Sequence, residues 1–158
     1  MRTVLQRAPQ GVMASARLVL DYDDRRKARQ RVRLAEGEEL ALMLPRGTLL
    51  RGGDLLLTDD GLVILVEAAP ERLSSATTGD PLLLARAAYH LGNRHVPLQL
   101  DSGRLRYRHD HVLDHMVVSL GLALTEVEAP FEPESGAYQG QAGASHHGHE
   151  HAHPHDHD

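Results

Sequence analysis

The stretch DPLLLARAAYHLG, residues 80–92, decides the fold, because it predicts a helix between segments that resemble strands. Asp80 is a residue type that caps the free N–H groups at a helix start, and Pro81 fits the first helical turn, where no hydrogen bond is lost. The run LLLARAAYHL continues the helix. Gly92 is the residue type at which helices commonly end, so we predict that the helix stops there.

The segments around this helix predict a mixed domain. Residues 71–78 (ERLSSATT) form a candidate strand before it, and residues 96–100 and 104–108 flank the hairpin turn Asp-Ser-Gly after it. Asp110 can cap a second helix, HVLDHMVVSLG, and residues 122–127 close the domain as a strand. The order βαββαβ is that of the ferredoxin-like split βαβ unit. One apolar stripe is predicted on the second helix, formed by Val112, Leu113, Met116, Val117 and Leu120.

Residues 1–70 predict an all-β domain, so that the fold class of the chain is α+β. The segment SARLVLDY, residues 15–22, alternates apolar and polar side chains as a half-buried strand does. The residues Gly-Gly at 52–53 and Asp-Asp-Gly at 59–61 are both typical of hairpin turns. Five or six short strands with tight turns predict a small barrel or sandwich.

The basic run RRKARQRVRLA, residues 25–35, alternates charged and smaller side chains. A strand with a charged outer face explains this pattern. The alternative, a nucleic-acid surface, is weaker because no aromatic residue is interspersed and the formal net charge of the chain is −5. We expect no nucleic-acid partner.

Composition limits the chemistry and the location of the protein. The chain has no cysteine, so a metal ion could be held only by imidazole, carboxylate or backbone groups, and imidazole suits Ni(II), Zn(II) and Cu(II). No apolar run approaches the roughly 20 residues that span a bilayer. The N-terminal residues MRTVLQRAPQ lack the apolar region of a signal peptide. We therefore expect a cytoplasmic protein without a membrane partner.

Five of the twelve histidines lie inside the second domain: His90, His95, His109, His111 and His115. A strand would place His109 and His111 on one side, whereas a helix would pair His111 with His115. Both pairings stay open, as does the simpler interpretation of polar surface residues. His95 follows the predicted helix end and needs partners to bind a metal ion. A two-fold dimer would supply them by placing two copies of His95 together.

After Pro130 the composition changes to Gly, Pro, Ser, Gln and Glu and then to His, so residues 130–158 predict a disordered tail. Within it, residues 149–153 fit the zinc-protease pattern H-E-x-x-H. That site needs a helix, but Pro154 follows directly and no apolar stripe is present. A cloning tag is disfavoured because the His residues are interrupted. A metal reservoir remains, with candidate ligands His146, His147, His149, His151, His153, His155 and His157.

Two segments carry a resemblance to a known family. HLGNRHVPLQL is followed, fourteen residues after His95, by HDHVLDHM. This pattern resembles the urease accessory proteins of the nickel metallochaperone type, the UreE family. The segments DYDDRRKARQRVRL and LPRGTLLRGGDLL resemble the N-terminal β domain of that family, so the likeness covers residues 1–128.

The resemblance implies three parts: a domain over residues 1–70 similar to a peptide-binding domain of a cochaperone, a ferredoxin-like metal-binding domain over residues 71–129, and the His-rich tail. It implies a homodimer through the second domain, with the interfacial nickel ligand at His95 and accessory ligands at His109 and His111. It carries no role onto His90 or His115. The choice of nickel over Zn(II) or Cu(II) also rests on the resemblance.

The implied function is delivery of Ni(II) for assembly of the urease active site, together with the urease-maturation GTPase and the urease apoprotein complex. The chain itself would not be an enzyme. Three alternatives stay open: a metal storage or detoxification protein without a delivery partner, a peptide-binding chaperone with incidental histidines, and a metalloenzyme. The last would need a general base beside the metal ion, for which the sequence offers no convincing candidate.

Overall fold

A computed structural model describes residues 1–136, and these form two β-sheets and three helices. The first sheet has the strand order β2-β6-β5-β1-β4-β3. Neighbouring strands are antiparallel except in the pairs β1–β4 and β2–β6, which are parallel. Its elements are β1 Arg2–Arg7, β2 Ala16–Leu20, α1 Tyr22–Arg25, β3 Arg29–Arg33, β4 Glu39–Met43, β5 Leu55–Thr58 and β6 Val63–Ala68.

This sheet curls around a single aliphatic core. The N–H of Ala35, just after β3, donates to the carbonyl of Arg17 on β2 at 2.9 Å, so the two ends of the strand order meet. One curled sheet is therefore present in place of a sandwich of two sheets. Alternate residues of its strands point inward and are fully buried, as in the pattern of β2. The core includes Val4, Leu18, Leu40, Leu42, Leu56, Ile64 and Val66.

Of the two hairpin turns predicted for the first domain, one is confirmed and one is wrong. Residues 59–61 do form the turn between the antiparallel strands β5 and β6. Residues 52–53 form a turn but no hairpin, because β4 ends at Met43 and β5 pairs with β1 and β6 instead. The sequence also missed α1, where the Asp21 side chain caps the helix by accepting from the Asp24 N–H.

The charged outer face predicted for the basic run is confirmed for β3. Arg29, Arg31 and Arg33 are exposed, while Val32 faces the core. Lys27 lies before the strand begins, and its amine pairs with Asp24 at 3.0 Å. The basic side chains of β3 thus lie on the outer surface of a half-buried strand.

The second sheet has the order β10-β7-β9-β8, with every neighbouring pair antiparallel. The predicted element order βαββαβ is confirmed. The strand predicted over residues 96–100 begins only at Gln99, because the Val96 N–H bonds to the end of the preceding helix and Pro97 has no N–H. The elements are β7 Pro70–Thr77, α2 Pro81–Asn93, β8 Gln99–Asp101, β9 Arg104–Arg108, α3 His111–Leu120 and β10 Ala123–Pro130.

Both helices of the second domain begin at their predicted caps. The Asp80 carboxylate accepts from the Leu82 N–H, and the Asp110 carboxylate accepts from the N–H groups of Val112 and Leu113. In the apolar stripe of α3, Leu113 and Val117 are buried, and Met116 and Leu120 pack against the core. The prediction that Val112 belongs to this stripe is wrong, because 66% of the residue is exposed, in the first turn of α3.

A third buried cluster joins the two domains: Tyr22, Leu73 and Phe131. The rings of Tyr22 and Phe131 meet edge to face, with centres 5.6 Å apart. The Arg25 guanidinium is fully buried beside them and donates to the carbonyls of Leu20, Leu50 and Phe131. The domains therefore share a small core that contains a cation, each of whose three nitrogens donates a hydrogen bond.

The expectation of disorder from residue 130 is wrong for the segment 131–136. Phe131 is fully buried, and the Glu132 carboxylate pairs with Arg51 at 3.0 Å and accepts from the Gly52 N–H at 2.8 Å. A single aromatic residue was enough to anchor a segment whose composition is otherwise polar. Residues 137–158, with the seven tail histidines, lie outside the described residues. Among residues 1–136, no helix has the length and apolar character needed to cross a membrane.

Candidate metal site

The end of α2 fixes the position of His95. The N–H of Val96 donates to the Leu91 carbonyl at 3.4 Å, and the N–H of His95 donates to the Gly92 carbonyl at 3.0 Å. These two bonds form the Schellman arrangement, in which the second residue after the last helical one adopts a left-handed conformation. That residue is His95, with φ of 57°. The prediction that Gly92 ends the helix is wrong, because α2 continues through it to Asn93.

His95 occupies a conformation that glycine normally takes. It is the one non-glycine residue of the described chain with positive φ. Such a conformation costs an L-residue roughly 1–2 kcal/mol, so the helix end would be more stable with glycine here. The imidazole is exposed and contributes no core packing. A strained residue on the surface is therefore a candidate for a functional role.

His95 and His109 line the same surface cavity, of about 310 Å³. It lies between the α2–β8 connection and the start of α3. The complete lining is His95, Val96, Pro97, Arg108, His109, Asp110 and Leu113. Two of the three predicted ligands inside the described chain are therefore brought together on one surface, although they are fourteen positions apart in sequence.

The third predicted ligand, His111, lies beside His109. Their ring centres are 5.0 Å apart and the rings are nearly perpendicular, at 78°. An ion bonded to one nitrogen of each ring at about 2 Å is compatible with this separation. The pair forms across the junction of β9, which ends at Arg108, and α3. A continuing strand, one basis of the predicted pairing, is therefore absent.

The other two histidines of the domain lie apart from the cavity lining described above. His90 is exposed on α2 and contacts Tyr89 edge to face, with ring centres 5.5 Å apart. His115 is exposed on α3, four residues after His111, which places the two on one helix face.

A buried polar network supports the His109 ring. The Asp114 carboxylate lies 3.2 Å from His109 Nδ1 through Oδ2, and its Oδ1 accepts from Ser74 Oγ and Tyr107 Oη, each at 2.6 Å. Ser74 Oγ also lies 3.2 Å from His109 Nδ1. Burial and the hydrogen bond to Asp114 raise the pKa of the Tyr107 phenol, so it stays protonated as a donor. The ring is thus held from its Nδ1 side.

The described part of one chain does not complete a metal site. No three His, Asp or Glu side chains in residues 1–136 are grouped so that they could hold a metal ion. His95 contributes one exposed imidazole, and the pair of His109 and His111 contributes two more nearby. First-row ions usually take four or more ligands. A metal ion bound here would need further donors from water, another segment or another molecule.

Comparison with known proteins identifies the family. The model of the UreE urease accessory protein N-terminal domain matches residues 4–69, and that of the C-terminal domain matches residues 71–157. A urease accessory protein UreE of Enterobacter sp. (strain 638) is 55% identical over 143 residues, covering 90% of this chain and 94% of that protein. The chain belongs to the UreE family.

Other UreE proteins agree over most of their length. A urease accessory protein UreE of Pseudomonas putida (strain W619) is 61% identical over 123 residues, which are 77% of this chain and 76% of that protein. The urease accessory protein UreE of Vibrio parahaemolyticus is 54% identical over 129 residues, covering 82% and 81% of the two chains. The similarity therefore extends over both sheets, and the chain is an accessory protein of urease.

In this member of the UreE family, sequence patterns pointed to the candidate imidazole ligands but not to the side chains that surround Nδ1 of His109. Ser74, Tyr107 and Asp114 come from β7, β9 and α3. One feature could have indicated Asp114, namely its place between two histidines in HDHVLDHM. Ser74 and Tyr107 carry no such mark, since their contact depends on the pairing of β7 with β9, in which they are register partners.

Proposed function

We propose that the protein is a nickel-binding metallochaperone that delivers Ni(II) for assembly of the urease active site. Membership of the UreE family supports a role in urease maturation. The observation that carries the metal role is the shared cavity of His95 and His109, with His111 beside it. These are neutral nitrogen donors of the kind that Ni(II), Zn(II) and Cu(II) accept, and any of the three could bind there.

The tight site is proposed to form between two copies of the chain. His95 projects from a helix end into solvent, where a partner can approach it. A two-fold axis beside it would bring two His95 imidazoles to one ion, which supplies ligands that a single described chain lacks. An ion held by few imidazoles at an interface can be released when the interface changes. A carrier needs this property, whereas a closed four-ligand site is typical of structural ions.

The remaining parts take supporting roles in this proposal. His109 and His111 form an accessory arm that passes ions to or from His95. The tail histidines, from His146 to His157, form a reservoir that increases capacity. The second domain, with its βαββαβ order, is a ferredoxin-like dimerisation unit, and the first domain is a peptide-binding-like module that contacts partners.

The proposed partners are the urease-maturation GTPase and the urease apoprotein complex, in the cytoplasm. Transfer requires no chemistry by the chain beyond ligand exchange, so it acts as a carrier and not as an enzyme. The competing hypothesis is a storage or detoxification protein, which would bind the same ions without a delivery partner. The two hypotheses differ in whether urease activity depends on the site.

The test is a set of single substitutions scored by nickel binding and by urease activation in cells that lack their own copy of the protein. His95→Ala should abolish the tightest nickel ion and most of the activation, while the protein stays dimeric. His109→Ala and His111→Ala should have smaller effects. His90→Ala is the matched control, because it removes an exposed imidazole on α2 and should change neither measurement.

Normal urease activation by the His95→Ala protein would contradict delivery through this site. Loss of nickel binding in that variant without loss of activation would favour the storage hypothesis for the metal. Equal and complete loss for His95→Ala, His109→Ala and His111→Ala would place one site within a single chain instead of at a dimer axis.

A further inference from the structure

The hydrogen positions around His109 follow from its neighbours. The Ser74 hydroxyl has one hydrogen, and its 2.6 Å contact with Asp114 Oδ1 uses that hydrogen, because an ionised carboxylate can only accept. Toward His109, Ser74 Oγ can then only accept. Asp114 Oδ2, at 3.2 Å, can also only accept. Both neighbours of His109 Nδ1 are acceptors, so Nδ1 must carry a hydrogen.

This assignment determines the state of the other ring nitrogen. A neutral imidazole carries one hydrogen, so Nε2 of His109 has a free lone pair. Nε2 is also buried and has no hydrogen-bond partner among residues 1–136. A buried polar atom without a partner is rare in native proteins and calls for a physical explanation. Here the atom belongs to a ring that lines the cavity shared with His95.

We propose that Asp114, anchored by Ser74 and Tyr107, is a positioning residue that holds His109 in the Nδ1–H tautomer and presents Nε2 as a metal donor. The inference rests on the proposed function for its metal. It adds three residues that touch no ion themselves. A ligating histidine whose other ring nitrogen donates to a carboxylate has a fixed orientation and a more basic donor atom.

Burial, strand pairing and a helix cap fix the positions of the residues in this network. Ser74 and Tyr107 are register partners on the adjacent strands β7 and β9, and both are almost completely buried. Their two donors converge on one carboxylate oxygen of Asp114, which leaves the second oxygen for His109 alone. Asp114 lies in the first turn of α3, which the Asp110 cap fixes.

The experiment reads the tautomer directly from the ring nitrogen shifts of His109, using ¹⁵N–¹H NMR of the metal-free dimer at about pH 8, where an ordinary imidazole is neutral. The wild-type protein should show the hydrogen on Nδ1. Added Zn(II), a diamagnetic probe, should then move the Nε2 shift. In Asp114→Asn the amide NH₂ turns toward Nδ1, because Ser74 and Tyr107 still require the acceptor oxygen. The tautomer should therefore reverse to Nε2–H.

The change of tautomer in Asp114→Asn should also weaken zinc binding. Asp114→Asn should lower the affinity of the His109-dependent ion roughly 10- to 100-fold, the usual effect of losing such a partner, and leave the His95-dependent ion unchanged. Asp101→Asn is the matched control, since it removes a carboxylate of β8 that pairs with Arg104, at the end of β9 away from His109. It should preserve both the tautomer and the affinity. Tyr107→Phe removes one of two anchors and should give an intermediate loss, which keeps the test valid should Asp114→Asn fold poorly.

Three results would overturn the proposal. Wild-type His109 with its hydrogen on Nε2 would contradict the network, as would an Asp114→Asn protein with an unchanged tautomer. A reversed tautomer with unchanged zinc affinity would show that the network does not act on metal binding. If instead wild-type His109 carries its hydrogen on Nδ1 and zinc leaves its Nε2 shift unmoved, the ligand role in the proposed function fails while the hydrogen assignment stands.

Discussion

At the scale of single residues, the backbone of His95 lowers the stability of the fold. Its left-handed conformation is one in which glycine ends a helix without strain, so a histidine there costs free energy. The sequence predicted that His95 is a ligand, from its resemblance to a family pattern. It could not predict the backbone conformation, because Gly92 three residues earlier is the more usual helix end and histidine rarely takes this role.

We expect His95→Gly to be more stable than His95→Ala by about 1 kcal/mol, since alanine keeps the left-handed strain and glycine removes it. Both proteins should lose the tight nickel ion equally. Urea denaturation and equilibrium dialysis measure the two effects. The pair Arg94→Gly and Arg94→Ala is the control, because Arg94 has an ordinary φ of −90° and glycine gains nothing there. A His95→Gly protein no more stable than His95→Ala would show that the conformation carries no strain.

At the scale of elements, the pattern of caps and periodicity predicted most of the second domain. The strand β9 and the start of α3 lie where the sequence placed them. The rings of His109 and His111 are neighbours, which is one of the two pairings that the sequence left open, although no strand continues between them. The supporting network was beyond sequence reasoning. Ser74 and Asp114 are forty residues apart, and only the register of β7 against β9 and the packing of α3 on the sheet bring them together.

The N-terminal cap of α3 sets the position of His111. Asp110 accepts hydrogen bonds from the first N–H groups of the helix and thereby fixes where His111 begins it. Asp110→Ala should lower the free energy of unfolding by about 1 kcal/mol, whereas Asp110→Asn should change it little, because asparagine caps as well as aspartate. Thermal or urea denaturation of the two variants makes the comparison. Equal destabilisation by both would mean that the charge of Asp110, and not its cap, stabilises the helix.

At the scale of the whole molecule, composition misplaced the end of the folded chain. The segment after β10 looked too polar to pack, and most of its residues are indeed polar. Yet Phe131 completes the core between the two sheets, and its carbonyl accepts from the buried Arg25. A compositional average over a segment cannot detect one aromatic residue that packs with Tyr22 and Leu73, both more than fifty positions away.

Two truncations distinguish this anchor from the tail. Ending the chain after Pro130 removes the Phe131 ring, a change that costs about 3–5 kcal/mol in protein cores, and leaves the buried Arg25 guanidinium without one of its three acceptors. Ending it after Gly136 retains both. We therefore expect the longer protein to match the full chain in urea denaturation and the shorter one to be strongly destabilised.

The longer of the two truncated proteins also separates the total nickel-binding capacity from the tight site. The protein that ends after Gly136 lacks all seven tail histidines but keeps His95, His109 and His111. It should bind fewer nickel ions than the full chain in equilibrium dialysis and keep the tight ion. Phe131→Ala in the full chain, which loses packing but keeps the tail, is the control. Complete loss of nickel from the folded Gly136 truncation would move the tight site into the tail. The cavity beside His95 would then no longer be a candidate for the site from which the ion is delivered.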